Sequence, residues 1–369
     1  MNKVQKTAYK PDYVSPPGET LQDTLDMFGI SQAELAERTG RPKKTINEII
    51  QGKAAITPET ALQLELVLRV PATFWLARES KYRAWLARQA EDARIDTDLG
   101  FLSELPIKEM CEFGWLLKCK DKREQAKSAL GFFGVVSSDK VPLVEETAFR
   151  RSQSFATSPW ALAAWLRKGE LDAQELPIGM YDRVAFLQAI QKIRSLTTQT
   201  PSTFVPELKK LCAQAGVAVV FVRDLPKTSV SGATRWLGPN RALIQLSLRY
   251  KTDDMLWFAF FHECGHVYLE HAKRDVLLEG IHRDDELTNT LDRKEVAANK
   301  FAMDTLIPPN EFEKFVRKNN FSRSAIETFA ASSGICAGIV VGRLQFEKKI
   351  DWTSFRQLKK TFRWDFGPV

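Results

Sequence analysis

A chain of 369 residues, 44% of them hydrophobic, can build two or three separate cores, and its net charge of +7 suits a polyanionic partner without specifying a fold. Met1 to Tyr13 is polar and no long apolar run follows, so neither an export signal nor a membrane span is expected. Cys111, Cys119, Cys212, Cys264 and Cys336 are odd in number and widely spaced, which excludes a disulfide framework and points to a reducing, cytoplasmic compartment.

Pro16-Pro17-Gly18-Glu19 breaks any helix, and helical periodicity then places Leu21, Leu25 and Phe28 on one face of a first helix, Thr20 to Phe28. Ser31-Gln32-Ala33-Glu34 has capping-box spacing and opens a second helix to about Arg38. Thr39-Gly40-Arg41 makes a tight turn, Pro42 suits the first position of a third helix, and Lys43 to Ile50 follows with Ile46, Ile49 and Ile50 inward. Thr57-Pro58-Glu59 starts a fourth helix through Leu68, and Val70-Pro71-Ala72 leads into Phe74-Trp75-Leu76, closing the block near residue 95. Residues 100 to 195 read as mostly helical, with turns at Pro142, Ser158-Pro159 and Pro177, and carry no chemical motif.

Apolar, β-branched runs at 214–225 and 242–250 predict strands of a small sheet. Thr252-Asp253-Asp254 offers a cap for a helix, Met255 to Glu270, that is apolar on nearly every side and must lie inside its domain. A further helix runs from about Arg293 to Leu306 and stops at Pro308-Pro309.

Inside the apolar helix stands His262-Glu263-Cys264-Gly265-His266. Histidines at i and i+4 point the same way and can share one Zn2+, with Glu263 beside the remaining coordination position. Zinc lowers the pKa of bound water from 15.7 to roughly 7, and a neighbouring carboxylate can take its proton. The expected third ligand is Glu295, ahead of His271 and His282, and Asn299, one turn on, can orient a histidine ligand. Cys264 faces away from the ligands.

Two families share these residues. Pro-Gly-Glu at 17–19, Ser-Gln-Ala-Glu-Leu-Ala-Glu-Arg at 31–38, Thr-Ile-Asn-Glu-Ile-Ile-Gln-Gly-Lys at 45–53, Ile-Thr-Pro-Glu-Thr-Ala at 56–61 and Phe-Trp-Leu at 74–76 resemble the HigA-type antitoxins of the XRE helix-turn-helix superfamily. That resemblance implies a dimer that binds operator DNA in its own promoter and neutralises a ribonuclease toxin of the HigB/RelE type. Residues 180–310 resemble the ImmA/IrrE metallopeptidases, through His-Glu-x-x-His at 262–266 and Glu-Val-Ala-Ala-Asn-Lys-Phe-Ala at 295–302. This second resemblance assigns His262, His266 and Glu295 to zinc and Glu263 to general base, with an XRE-type repressor, or the chain itself, as substrate. Fusion of the two modules in one chain departs from either family.

A helix-turn-helix presents the N-terminal residues of its second helix to base edges, here Lys43, Lys44, Thr45 and Asn47, with Arg41 and Lys53 flanking them at the phosphates. Two half-sites imply a homodimer. A weaker echo of the motif at 324–345 lacks a basic face until Arg343 and Lys348 and reads as a packed helical hairpin. The expected fold class is α+β, mainly helical with a small sheet. It comprises a helix-turn-helix bundle at 1–95, a helical middle region at 96–195 and a zincin-like domain at 196–369. The expected function is a DNA-binding antitoxin-like regulator carrying a zinc endopeptidase. The alternatives are a non-catalytic regulator with a structural or ligand-sensing zinc module, and a peptidase that uses the first module for localisation.

Overall fold

The computed structural model describes residues 13–141, 158–228, 230–249, 251–270, 277–279 and 291–363. His271, His282 and the turn at Pro142 lie outside the described residues. The chain divides into two compact units, Met1–Leu99 and Gly100–Val369, so the middle and C-terminal regions share one unit. The class is the expected one, mainly helical with a small sheet.

Among the described residues the first unit holds five helices: α1 (Pro17–Phe28), α2 (Gln32–Thr39), α3 (Lys43–Ile50), α4 (Pro58–Leu68) and α5 (Ala72–Thr97). The first helix begins earlier than its breaker residues suggest, because Pro17 occupies a first-turn position where its missing N–H costs nothing. Gly18 lies where a Cβ would come within 2.2 Å of the Ile49 carbonyl oxygen, so only glycine lets α1 meet the end of α3. Ser31 caps α2 by accepting the Glu34 amide at 3.2 Å, while the Glu34 carboxylate turns to Arg38. Gly40 takes the left-handed conformation, φ 66°, that the turn into α3 demands. Leu21, Leu25, Leu35, Ile46, Ile49, Ile56, Leu64, Leu68 and Trp75 fill the core, and Ile50 is only half-buried.

The second unit is built on a four-stranded sheet in the order β1-β3-β2-β4: β1 (Val217–Phe221), β2 (Gly232–Trp236), β3 (Ala242–Leu246) and β4 (Leu277–Glu279). The two predicted strands are β1 and β3, paired in parallel, while β2 runs antiparallel to β3. Strand β2 has no signal in the sequence, since Gly-Ala-Thr-Arg-Trp has neither an apolar run nor an alternation of apolar residues. Alternate side chains divide the sheet between two helical layers. Helices α6 (Ile107–Glu112), α7 (Lys122–Phe133) and α8 (Pro159–Gln174) precede the sheet, and α8 packs against β1 and β3. Gln245 donates to the Trp165 carbonyl at 2.6 Å and Arg235 to the Leu166 carbonyl at 3.1 Å, which ties α8 to that face.

Val217, Val219, Ala242, Ile244 and Leu246 point the other way, into a core shared with α9 (Arg183–Ser195), α10 (Pro201–Gln214), α11 (Asp253–Tyr268) and α12 (Leu291–Leu306). Helices α13 (Pro309–Arg317), α14 (Arg323–Ser333) and α15 (Ala337–Phe346) complete the unit. The α14–α15 pair bends by 113° and is the expected packed hairpin: Gly338, Ile339, Val340 and Val341 are buried, so the face that would read a groove sits in protein. No described helix is by itself long and apolar enough to cross a membrane.

Helix α11 is buried along its length, and its N-terminus is held by the Asp253 carboxylate, which accepts the Asp254 amide at 3.0 Å, together with tertiary contacts. The Thr252 side chain makes no capping hydrogen bond, contrary to the expectation from sequence. Instead the Asp253 amide donates to the Lys360 carbonyl at 2.9 Å, and Lys359 reaches Asp254 at 2.6 Å. Burial pushes the Asp253 carboxyl up to about 6, against the Cys336 thiol that holds it down and with the Asp254 charge that raises it further. A raised folded value means that the stability contribution is full below the unfolded value near 3.8 and lost as pH rises through about 6. Comparison of the chain with Asp253→Asn by urea unfolding should therefore show an extra loss on the order of 2 kcal/mol between about pH 4 and 6 in the unaltered protein alone. Parallel pH profiles would contradict the burial argument.

Candidate metal centre and nucleic-acid interface

The second unit brings His262, His266 and Glu295 together, with one ligand atom of each lying within 4.8 Å of the others. The His262 and His266 Nε2 atoms are 2.9 Å apart, and the Glu295 carboxylate oxygens lie 3.1 and 3.4 Å from them. Helical spacing alone aligns the histidines; Glu295 arrives because α12 runs close along α11. A Cβ at Gly265 would stand 3.1 Å from the Ala298 Cα, so the small pair Gly265 and Ala298 sets that approach. Metal-ligand spacing gives Gly265 no role, although a glycine inside an apolar helix is itself a signal of close packing.

The donor set fits a divalent metal. The Asn299 carbonyl oxygen lies 2.9 Å from His262 Nδ1, which therefore carries the proton and leaves the Nε2 lone pair facing the other ligands. A lone pair, a second imidazole and a carboxylate converge in a buried place, an arrangement that suits a shared cation. Burial pushes the His266 pKa down, partly offset by Glu295, and so disfavours an added proton. Burial also works against the Glu295 carboxylate, but the two imidazoles outweigh it and bring this group down to about 2, fully charged at neutral pH.

Glu263 is completely buried beside this cluster. Its carboxylate accepts a short hydrogen bond from the Thr234 hydroxyl on β2, and a Cβ at position 232 would fall 2.6 Å from its Oε1. Gly232 and Thr234 thus form a wall that fixes the glutamate, and both were missed with the strand that carries them. Cys264 lies wholly in the core, where burial drives its thiol well above the ordinary range and leaves it as packing.

The helix-turn-helix residues form a separate group on the first unit. Lys43, Lys44 and Lys53 are exposed, and Thr45 and Asn47 are half-buried on the same helix start. Lys44 stands 3.9 Å from Glu48, a loose pair that leaves it available to phosphate. Arg41 instead donates to Gln63 on α4, so its reach is partly spent on holding the bundle. Asn47 donates to Gln32 at 3.4 Å and Gln32 to Gln22 at 2.8 Å, a chain of amides joining α3, α2 and α1. Gln32 was not singled out from sequence. Its place directly after the Ser31 cap, beside the recognition helix, was the available signal.

A family model described as Helix-turn-helix matches residues 21–75. The chain is 33% identical over 75 residues to the uncharacterized HTH-type transcriptional regulator YddM of Escherichia coli K12, covering 20% of this chain and 77% of that protein. It is 36% identical over 59 residues to virulence-associated protein A of Dichelobacter nodosus, 16% of this chain and 58% of the relative. Among solved structures, the Pseudomonas aeruginosa antitoxin HigA with higBA promoter is 30% identical over 23% of this chain and 95% of that one, with a TM-score of 0.22. Through its first unit, the chain belongs to the helix-turn-helix family of transcriptional regulators.

Proposed function

We propose that this chain is an antitoxin-type autorepressor that carries a zinc-dependent endopeptidase in its second unit, cleaving either itself or an XRE-type repressor. The observation that carries the peptidase is the convergence of His262, His266 and Glu295 beside a buried carboxylate, Glu263. His262, His266 and Glu295 would hold the metal. When bound, zinc supplies a Lewis acid that makes water acidic near neutral pH and polarises a peptide carbonyl. Glu263 would take the proton at its carboxylate and return it to the leaving amine. Thr234 holds that carboxylate in one rotamer, and Asn299 keeps His262 in the tautomer whose Nε2 can bind.

The antitoxin reading draws on the N-terminal motif residues, with operator DNA and a ribonuclease toxin of the HigB/RelE type as partners. A second reading is favoured by one feature of the site. Glu263 is fully buried and hydrogen-bonded, which also suits a module that binds zinc for stability or for sensing without hydrolysis.

Elemental analysis should find one zinc per chain, lost in His262→Ala and Glu295→Ala. Glu263→Gln should keep the zinc while abolishing any cut seen by mass spectrometry with the co-produced neighbouring gene product. Zinc without a cut in the unaltered chain selects the second reading, and absence of zinc refutes both. For DNA, Asn47→Ala should weaken binding to the chain's own promoter by about 1–3 kcal/mol and relax sequence preference. Lys53→Ala should weaken every duplex alike and lower the salt slope by about one. Equal loss of specific and non-specific binding in Asn47→Ala would remove that residue from base readout.

A further inference from the structure

The five cysteines divide into two kinds. Cys212, Cys264 and Cys336 are buried, whereas Cys111 and Cys119 are half-buried and within reach of small molecules in water. Cys111 lies in the last turn of α6 and Cys119 in the loop that leads into α7. Both thiols donate weak hydrogen bonds to one oxygen, the Leu117 carbonyl, with Sγ at 3.7 Å for Cys111 and 3.6 Å for Cys119. A shared acceptor holds the two sulfurs within about 7 Å of each other, a gap that χ1 rotation of both side chains can close.

The backbone on either side is anchored, so the approach of the two thiols follows from the fold. Gly114 takes the left-handed conformation, φ 73°, and the Trp115 and Leu116 amides both donate to the Met110 carbonyl, at 2.8 and 3.3 Å. The chain therefore doubles back over the end of α6. Met110 and Leu116 are buried beneath the turn, and the Trp115 ring stacks on Phe132 of α7. The Cys119 amide donates at 3.2 Å to Oε1 of Gln125, itself buried on α7. The tip of the turn faces water: Leu117 is 76% exposed, and Lys118 and Lys120, on either side of Cys119, are exposed as well.

We propose that Cys111 and Cys119 are a paired oxidation site, at which a hydroperoxide joins the two sulfurs in a reversible disulfide that ties the end of α6 to the entry of α7. The Cys119 thiolate attacks one peroxide oxygen: an S–O bond forms, the O–O bond breaks, and the departing oxygen takes up a proton and leaves as water. The Cys111 thiolate then attacks the sulfenic sulfur, forming the S–S bond and breaking the S–O bond, with release of a second water. Two thiols and one hydrogen peroxide thus give one disulfide and two waters. The sulfurs together give up two electrons and the peroxide accepts them. Cys111 is the resolving partner because burial and the neighbouring Cys119 push its thiol up, offset only in part by Lys118, so it forms the free thiolate less readily. Neither step involves the metal ligands or the helix-turn-helix residues.

Peptide mapping of the full-length protein tests this. After hydrogen peroxide, blocking of remaining thiols with iodoacetamide and digestion with trypsin, the peptide Glu109–Lys118 should appear joined to Cys119–Lys120, and dithiothreitol should separate them. Cys111→Ser should stop the chemistry at a sulfenic acid on Cys119 that dimedone captures. Cys119→Ser should leave Cys111 reacting at least about fivefold more slowly with peroxide. Brief trypsin treatment of the native protein should cut after Lys118 at least about fivefold more slowly in the oxidised form, because the closed ring restrains the turn. A cross-link between two chains, oxidation of Cys119 that leaves Cys111 free, thiols untouched by peroxide, or a disulfide that leaves cleavage after Lys118 unchanged overturns the proposal.

Discussion

The second unit depends on the burial of α11, an apolar helix that nevertheless carries Asp253, Asp254, His262, Glu263 and His266 inside the protein. Buried charged and polar groups cost several kcal/mol each unless partners are supplied, and a helix already surrounded by core cannot supply them itself. The neighbouring elements are arranged around that requirement. Thr234 comes from β2, Asn299 and Glu295 from α12, Lys359 from the segment after α15, and the Lys360 carbonyl closes the helix start. Gly338 and Gly342 leave room for the two aspartates, where a Cβ would come within 2.2 and 2.7 Å of them.

One demand thus explains features that look unrelated in the chain. The C-terminal segment lies against the start of α11 because two acidic groups there need a cation and a donor. The same helix is polar twice, once at its end near Lys359 and once, two to three turns on, at the candidate metal centre. The first set meets Lys359 and the Cys336 thiol, although among the described residues one oxygen of each aspartate, Asp253 Oδ2 and Asp254 Oδ1, has no hydrogen-bond partner. At the second a histidine lone pair, an imidazole and a charged carboxylate face one another, and the proposed metal reading rests on that convergence.

The first unit works on a different principle. Asn47, Gln32 and Gln22 are linked as amides across α3, α2 and α1, and in the proposed reading they would exchange one another for base edges. The core beneath is made of leucine and isoleucine from α1 to α4 with Trp75 from α5, which keeps α3 fixed while its N-terminal lysines remain accessible. A rigid scaffold with solvent-facing polar ends is what groove reading needs. The α14–α15 hairpin has a similar local form, with Gly334 left-handed in its turn, but its second helix is buried and serves packing.

Local chemistry alone fixed the boundaries of α2, α3 and α4, because caps at Ser31 and Thr57, the Gly40 turn and Pro42 act within four residues of the sites they control. It also fixed the alignment of His262 with His266, a consequence of 3.6 residues per turn, and left Glu295 and Asn299 as well-placed candidates. Tertiary structure alone decided what sequence spacing cannot encode across a gap. It placed Glu295 against the histidines through the Gly265–Ala298 approach and raised β2, a strand without periodic signal, because β3 offered an open edge. It fastened Arg41 to Gln63 and started α11 from Lys360 rather than from Thr252. Contacts within a turn are written in neighbouring residues, whereas those made 30 or 100 residues apart exist only after the core has brought the elements together.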